Sequence, residues 1–443
     1  MPSTSGALDR ALGRRDLTAF AINRVIGAGI FGIPAVLYAG VGPWSVAAFV
    51  LAGLAVSLIT LCFAEVGSSF RDTGGPYLYA YSTFGPLAGF EVGWLMWVTQ
   101  LGGFATVTNL FVNYVGWFVP SATSGLPRIL IVATLVGCLA VANVLGVRRA
   151  ARINNILTLG KLVPLALFVI VGVFFIAPVR LALAGTPTAA AMSGAVLVAV
   201  YAFSGFEVLG VPSGEIEDPA RSIPFALLAG LGVVAVIYVG VQVVAIGTLP
   251  ELATSARPLA DAADRIFGRT GATVMVAGAL LSTLGVSHAI LLAAGRMPFA
   301  MAERRQLPAA IAAVHPVYRT PYVGLIVSAT GMALFTLATT FTSALTITVG
   351  LRVIIYLVTC AALPVLRRQP GRARAPFRVP AGDLVALVSM LTCIGLLAMR
   401  PWAESRQLAI VLVLGIAVWA ACAAAVRRGS STGKAGPGPG GAT

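Results

Sequence analysis

Charge is what this sequence lacks most. Only 10% of its 443 residues are Asp, Glu, Lys or Arg, against about a quarter in a soluble globular domain. With 58% hydrophobic residues and a mean hydropathy of +0.94, the class left standing is a polytopic membrane protein. Cysteine is sparse as well: Cys62, Cys138, Cys360, Cys393 and Cys422 stand singly in apolar segments. They show neither metal-ligand spacing nor a disulfide framework, and read as small packing residues. Histidine occurs only twice, and no nucleophile–base–acid set stands out at membrane depth. Enzyme activity, a metal site and a cofactor are therefore not expected. The N-terminal MPSTSGALDRALGRRD lacks a convincing cleavage site before the first apolar run, which predicts a retained first span and not a signal peptide.

What the sequence has in quantity is long apolar runs. A span needs about 20 apolar residues, and twelve segments qualify: 17–39, 43–69, 86–113, 128–147, 155–177, 190–211, 223–248, 272–301, 321–340, 342–366, 383–400 and 406–426. An even number puts both termini on one side. With the N-terminus inside, about twenty loop Lys and Arg fall on the cytoplasmic face and about seven outside, as the positive-inside rule requires. Arg14-Arg15, Arg148-Arg149-Arg152, Arg304-Arg305, Arg367 to Arg378 and Arg427-Arg428 all share the cytoplasmic face. The net charge of +15 thus sets topology and meets anionic lipid; it is not a nucleic-acid footprint. The expected organisation is a cytoplasmic segment 1–16, a first repeat 17–177, a second repeat 190–366, two further spans within 383–426, and a Gly/Pro/Ser-rich disordered tail 427–443.

Two of the apolar segments are interrupted. In the first, NRVIGAGIFGIPA places Gly27, Gly29 and Gly32 where a helix gains least from backbone freedom. Close helix packing is one explanation. The second interruption, Tyr201-Ala202-Phe203-Ser204-Gly205-Phe206-Glu207, falls five spans later. Broken segments at matching positions of two halves point to a transport site between inverted repeats. Unwinding frees N–H groups on one side and carbonyls on the other, which lipid cannot satisfy. A half-helix N-terminus suits an anion and freed carbonyls suit an ammonium group. Side by side they describe a receptor for a zwitterion, an α-amino acid.

Charged residues at membrane depth are costly and need explanation. Lys161, in ILTLGKLVPLALF, either snorkels to the cytoplasmic interface or acts as a fixed ammonium between spans one and eight. Arg352, in ITVGLRVIIYL, has Glu207 as a possible partner, because two unpaired buried charges are expensive. Such a pair is structural or a gate; alternatively Glu207 titrates during transport. His288, in STLGVSHAILLAAGR, is either a hydrogen-bonded core residue or a proton carrier, and titration near neutral pH makes the choice testable. Glu65, Glu91 and Arg24 lie nearer span ends and receive no role.

Across almost its whole length the chain resembles the amino acid/polyamine/organocation transporter superfamily. GAGIFG at 27–32 resembles the family's first-span signature, and Gly74-Gly75-Pro76-Tyr77-Leu78-Tyr79 its first cytoplasmic loop. Gly205-Phe206-Glu207 with Gly214-Glu215-Ile216-Glu217-Asp218-Pro219 resembles the sixth-span break and its exit. Arg296 to Ala302, Leu307-Pro308, Arg319-Thr320-Pro321 and Pro376 to Pro380 follow in the family's order. The resemblance implies an all-α fold of the LeuT type: a five-plus-five inverted repeat with about 12 transmembrane helices, helices 1 and 6 unwound mid-membrane.

It also implies a substrate site on Val25, Ile26, Gly27, Ala28, Gly29, Ile30, Tyr201, Ala202, Phe203, Ser204 and Gly205. Substrate carboxylate would meet N–H groups around Ala28, Gly29 and Ile30. The ammonium would meet carbonyls near Val25, Tyr201, Ala202 and Ser204, with the Tyr201 ring as cover. Lys161 matches the lysine of sodium-independent members, whereas His288 stands where the exchanger branch often has asparagine. Coupling or gating would fall to Lys161, Glu207, His288 and Arg352.

The resulting expectation is a sodium-independent secondary transporter of neutral L-amino acids, working by proton symport or by exchange, with Phe203, Phe206 and Trp97 as pocket aromatics. A cationic amino acid or polyamine antiporter, suggested by Glu207, and a transport-dead amino-acid sensor are the alternatives. A channel fits poorly with an occluded site. Amino acid, protons and membrane lipid are the expected partners; no external-loop cysteine is present to tether a partner subunit. The Arg/Ala-rich composition and compact loops point to a bacterial plasma (inner) membrane, multi-pass, with both termini cytoplasmic.

Overall fold

In lipid a backbone must satisfy its own N–H and C=O groups, which for a chain this apolar leaves the helix. The computed structural model describes residues 14–27, 29–70, 75–144, 162–183, 185–208, 219–304, 306–318, 320–371 and 374–432. Every regular element among the described residues is helical. In order, the α-helices are α1 Arg14–Val25, α2 Ile33–Val41, α3 Ser45–Ser68, α4 Pro76–Phe84, α5 Pro86–Val115 and α6 Gly125–Val144. They continue with α7 Leu162–Phe175, α8 Ala189–Ala202, α9 Pro219–Thr248, α10 Pro258–Glu303, α11 Tyr322–Ala338, α12 Phe341–Arg368, α13 Gly382–Ala398 and α14 Trp402–Thr432.

Seven stretches are long and apolar enough to cross a membrane: 33–68, 86–115, 125–144, 221–248, 258–303, 341–368 and 402–424. The helices α7, α8, α11 and α13 are apolar but shorter. The protein is thus a multi-pass, all-helical membrane protein. The 46-residue α10 is two helices joined at a kink, where Gly268 adopts φ 69°.

Both interruptions read from the sequence are present as breaks in helix. The first helix stops at Val25, and a single 3-10 turn, Gly29–Phe31, precedes α2. The other, α8, stops at Ala202, and a turn through Gly205 leads to a 3-10 turn at Phe206–Val208. Packing also accounts for one glycine of the first motif. A Cβ on Gly32 would lie 2.7 Å from Phe341 and 2.9 Å from Leu110, so α2 starts in contact with α5 and α12.

The helices pack as two groups around these breaks. In one, α1 and α3 lie on α9, while α2 and α3 lie on α8. In the other, α5 is central, against α10, α11 and α12, with α6 beside α11. Between them, α13 touches both α3 and α12. A buried clamp joins the groups at one end. The Arg367 guanidinium donates two hydrogen bonds of 2.7 Å to the Glu65 carboxylate, a bidentate arrangement. The Val379 N–H donates to the same carboxylate at 2.7 Å, which straps the chain beyond α12 back onto α3. Cys62, Cys360 and Cys393 are fully buried, with the Cys62 thiol 3.8 Å from the Ser389 hydroxyl.

Candidate functional site

The two breaks face each other. Gly205 adopts φ +117°, and a Cβ there would lie 2.6 Å from the Arg24 carbonyl oxygen. Glycine is thus required twice over, for the left-handed backbone and for the contact. The Tyr238 hydroxyl, from α9, lies 2.7 Å from the Val25 carbonyl and 3.1 Å from the Ala202 carbonyl. It pins the end of α1 to the end of α8.

A carbonyl oxygen has two lone pairs, which divides the expected ammonium acceptors. The Val25 oxygen already accepts from Tyr238 and, at 2.7 Å, from the Gly27 N–H. The Tyr201 oxygen accepts from the Ser204 N–H at 3.1 Å and the Ser204 hydroxyl at 2.6 Å. Ala202 and Ser204 are therefore the better-placed acceptors of the four.

The carboxylate of the second break is paired. Glu207 Oε1 accepts from Arg352 Nη1 at 2.8 Å. Its Oε2 accepts from the Gly205 N–H at 2.8 Å and the Tyr356 hydroxyl at 3.2 Å. The two charged side chains are 9% and 11% exposed, so this is a buried ion pair with satisfied acceptors. The Arg352 guanidinium also sits 5.7 Å from the centroid of the Tyr201 ring, within cation–π range.

Between the breaks lies a cavity of ≈ 90 Å³, room for several water molecules. The first break contributes Arg24, Val25, Gly27 and Gly29, and the second contributes Tyr201, Ala202, Ser204, Gly205 and Glu207. The α5 wall has Met96, Thr99, Gln100 and Val107; the α10 wall has Ser282, Gly285, Val286, Ala289 and Ile290. Arg352, Ile355 and Tyr356 close it from α12.

Of the residues proposed from sequence, Ile26, Ile30 and Phe203 are wholly buried and do not line this cavity. Phe203 packs edge-on to Phe49, 6.3 Å between centroids, and against Tyr238. Phe206 packs on Phe63 and Tyr356, and the Trp97 indole donates to the Ser328 hydroxyl at 3.0 Å. His288 is half-buried, its Nδ1 3.4 Å from the Asn143 amide nitrogen on α6, and it too lies off the cavity. Ala28 and Lys161 lie outside the described residues. Sequence reasoning missed Arg24, Thr99, Gln100, Ser282, Tyr238 and Tyr356. Only Arg24 gave a signal, a charge three residues before the glycine motif. Among the described residues, no group of three or more His, Cys, Asp or Glu could hold a metal ion.

A multi-pass helical protein with a cavity between two interrupted helices has the architecture of a membrane carrier. Comparison with known proteins makes this specific: residues 12–422 match the amino acid permease family, and the chain belongs to that family, within the amino acid/polyamine/organocation superfamily. These are permeases, not enzymes. The chain is 31% identical to the methylthioribose transporter of Bacillus subtilis (strain 168), over 94% of each chain. It is 26% identical to the branched-chain amino acid permease BcaP of the same organism, again over 94% of each. To that organism's serine/threonine exchanger SteT it is 26% identical, over 94% of this chain and 97% of the exchanger.

Proposed function

We propose that the protein is a sodium-independent secondary transporter that moves amino acids across the bacterial plasma membrane by alternating access. The observation that carries this reading is the cavity shared by the two breaks, lined by Gly27 and Gly29 on one side and Ala202, Ser204 and Gly205 on the other. In this proposal the substrate carboxylate meets N–H groups of Ala28 and Gly29, before the half-helix leading into α2; Ile30, which does not line the cavity, is left out of the set. The ammonium meets the carbonyls of Ala202 and Ser204, and the Tyr201 ring covers the bound substrate.

The same reading assigns the helices to a five-plus-five inverted repeat with about 12 spans, both termini cytoplasmic. The short helices then cross as partners of the long ones. Lys161 serves as a fixed ammonium in place of a metal ion. Energy comes from proton symport or from exchange, and no partner subunit is required. Amino acids with cationic side chains are disfavoured because the carboxylate that would attract them, Glu207, already holds Arg352. That leaves the neutral or acidic ones.

A second reading, carriage of methylthioribose, draws on the 31% identity to the transporter of that name. The deciding experiment is uptake into proteoliposomes of labelled amino acids and methylthioribose, with and without an inward proton gradient and with unlabelled substrate inside. Accumulation into empty vesicles under a gradient establishes symport, and flux only with internal substrate establishes exchange. Uptake of methylthioribose with no amino acid moved replaces the first reading by the second, and binding of an amino acid without flux by a folded protein makes it a sensor.

A further inference from the structure

One cavity side chain is used by none of these roles. Arg24 lies on the last turn of α1, immediately before the first break, and lines the cavity. Its Nε is buried with no hydrogen-bond partner, and among the described residues no carboxylate forms an ion pair with it. The charges acting on it are those of Glu207 and Arg352. Glu207 makes no hydrogen bond or ion pair with it among the described residues, its carboxylate being shared by Arg352, Gly205 and Tyr356.

The cavity wall thus holds two guanidiniums, Arg24 and Arg352, and one carboxylate, Glu207, a side-chain balance of one positive charge. Two further polar atoms point the same way. Arg352 Nε and the Ser282 hydroxyl belong to cavity-lining residues and are buried without a partner. A guanidinium whose Nε is buried without a partner, beside a second guanidinium and one shared carboxylate, gains from a further anion. A zwitterionic substrate brings no net charge; one additional carboxylate supplies that anion.

We propose that Arg24 is a specificity-determining residue that binds a second acidic group on the substrate, and that the preferred cargo is a dicarboxylic amino acid of the glutamate or aspartate type. This rests on the amino-acid-transporter reading above and narrows it. The side-chain carboxylate accepts from the Arg24 guanidinium, and Ser282 adds a donor. The α-carboxylate and ammonium remain with the two breaks. Arginine suits the task because its planar fork pairs with a carboxylate at two points.

The test needs no variant at first: uptake of labelled L-glutamate and L-aspartate is measured beside L-glutamine, L-asparagine, L-leucine and L-serine in the same proteoliposomes. The wild type is expected to take the acids with a KM about tenfold to a hundredfold below their amides, the range for a charge-assisted hydrogen bond. In R24Q that ratio collapses toward one, and R24K, which keeps a point charge, falls between. Thermal unfolding of each variant in detergent establishes that it is folded. If the wild type moves neutral amino acids and not the acids, the proposal is overturned while the transporter reading stands. If R24Q weakens acids and amides equally, Arg24 holds the α-carboxylate and the proposal fails. If no amino acid binds or moves, the reading beneath it has failed and the proposal falls with it.

Discussion

Removing the Glu207 carboxylate should destabilise the region of the second break more than any other single side-chain change in the cavity. The pair it forms with Arg352 spans 2.8 Å between side chains only 9% and 11% exposed. Breaking such a pair from one side costs about 3–5 kcal/mol, chiefly because the remaining charge is left uncompensated. E207A also strips an acceptor from the Gly205 N–H and the Tyr356 hydroxyl, so it belongs at the upper end. E207Q keeps one amide oxygen to accept from Gly205 and should cost less. The double variant E207Q/R352M removes both charges, and its loss should fall short of the sum of the singles by about 0.5–3 kcal/mol. Reversible unfolding in mixed detergent micelles, titrated with a denaturing detergent, measures all four corners of the cycle. A cost below about 0.5 kcal/mol for E207A, or strict additivity in the double variant, would refute a stabilising buried ion pair.

Three further outcomes follow from the geometry of the breaks. Y238F removes the hydroxyl shared by the Val25 and Ala202 carbonyls; a stability loss of about 0.5–1.5 kcal/mol with a raised KM is expected, and an unchanged KM would mean the pin does not shape the site. G205A places a Cβ 2.6 Å from the Arg24 carbonyl at φ +117°, so binding should be lost while circular dichroism still reports a helical protein; retained binding would show that the breaks need not touch. H288N replaces a side chain that faces Asn143 and not the cavity, so uptake and its pH profile should stay within about twofold of wild type. A lost pH response would support the proton-carrier role instead.

The sequence made plain what depends on local composition. Apolar run length marked the seven long spans but not α4, and the breaks were marked by the Gly27, Gly29 and Gly32 cluster and by Ser204, Gly205 and Glu207, because each is written in consecutive residues. Glu207 and Arg352 were legible as partners despite 145 positions of separation, since charge at membrane depth is rare enough that two such residues invite pairing. The facing of side chains was not legible. Ile30 and Phe203 sit within the broken segments yet turn into the protein, Phe203 against Phe49, because a break rotates successive residues in directions no helical period predicts. Tyr238, Tyr356 and Ser282 carry no charge and belong to intact helices; only the packing of α9, α10 and α12 around the breaks brings them to the site. Arg24 looked like a residue near a span end, because the break that turns it into a cavity residue begins only after Val25. Glu65 looked the same, and its partner Arg367 is 302 positions away.

The central claim is that the breaks recognise both charged ends of an α-amino acid. Its most direct test takes whichever amino acid is carried best and measures inhibition of its uptake by two analogues, the methyl ester of the α-carboxyl, which lacks the anion, and the 2-hydroxy acid, which lacks the ammonium. Each should inhibit at least about tenfold more weakly than the parent, the loss of one charge-assisted contact. Inhibition by either analogue as strong as by the parent amino acid would contradict recognition of the zwitterion between the two breaks.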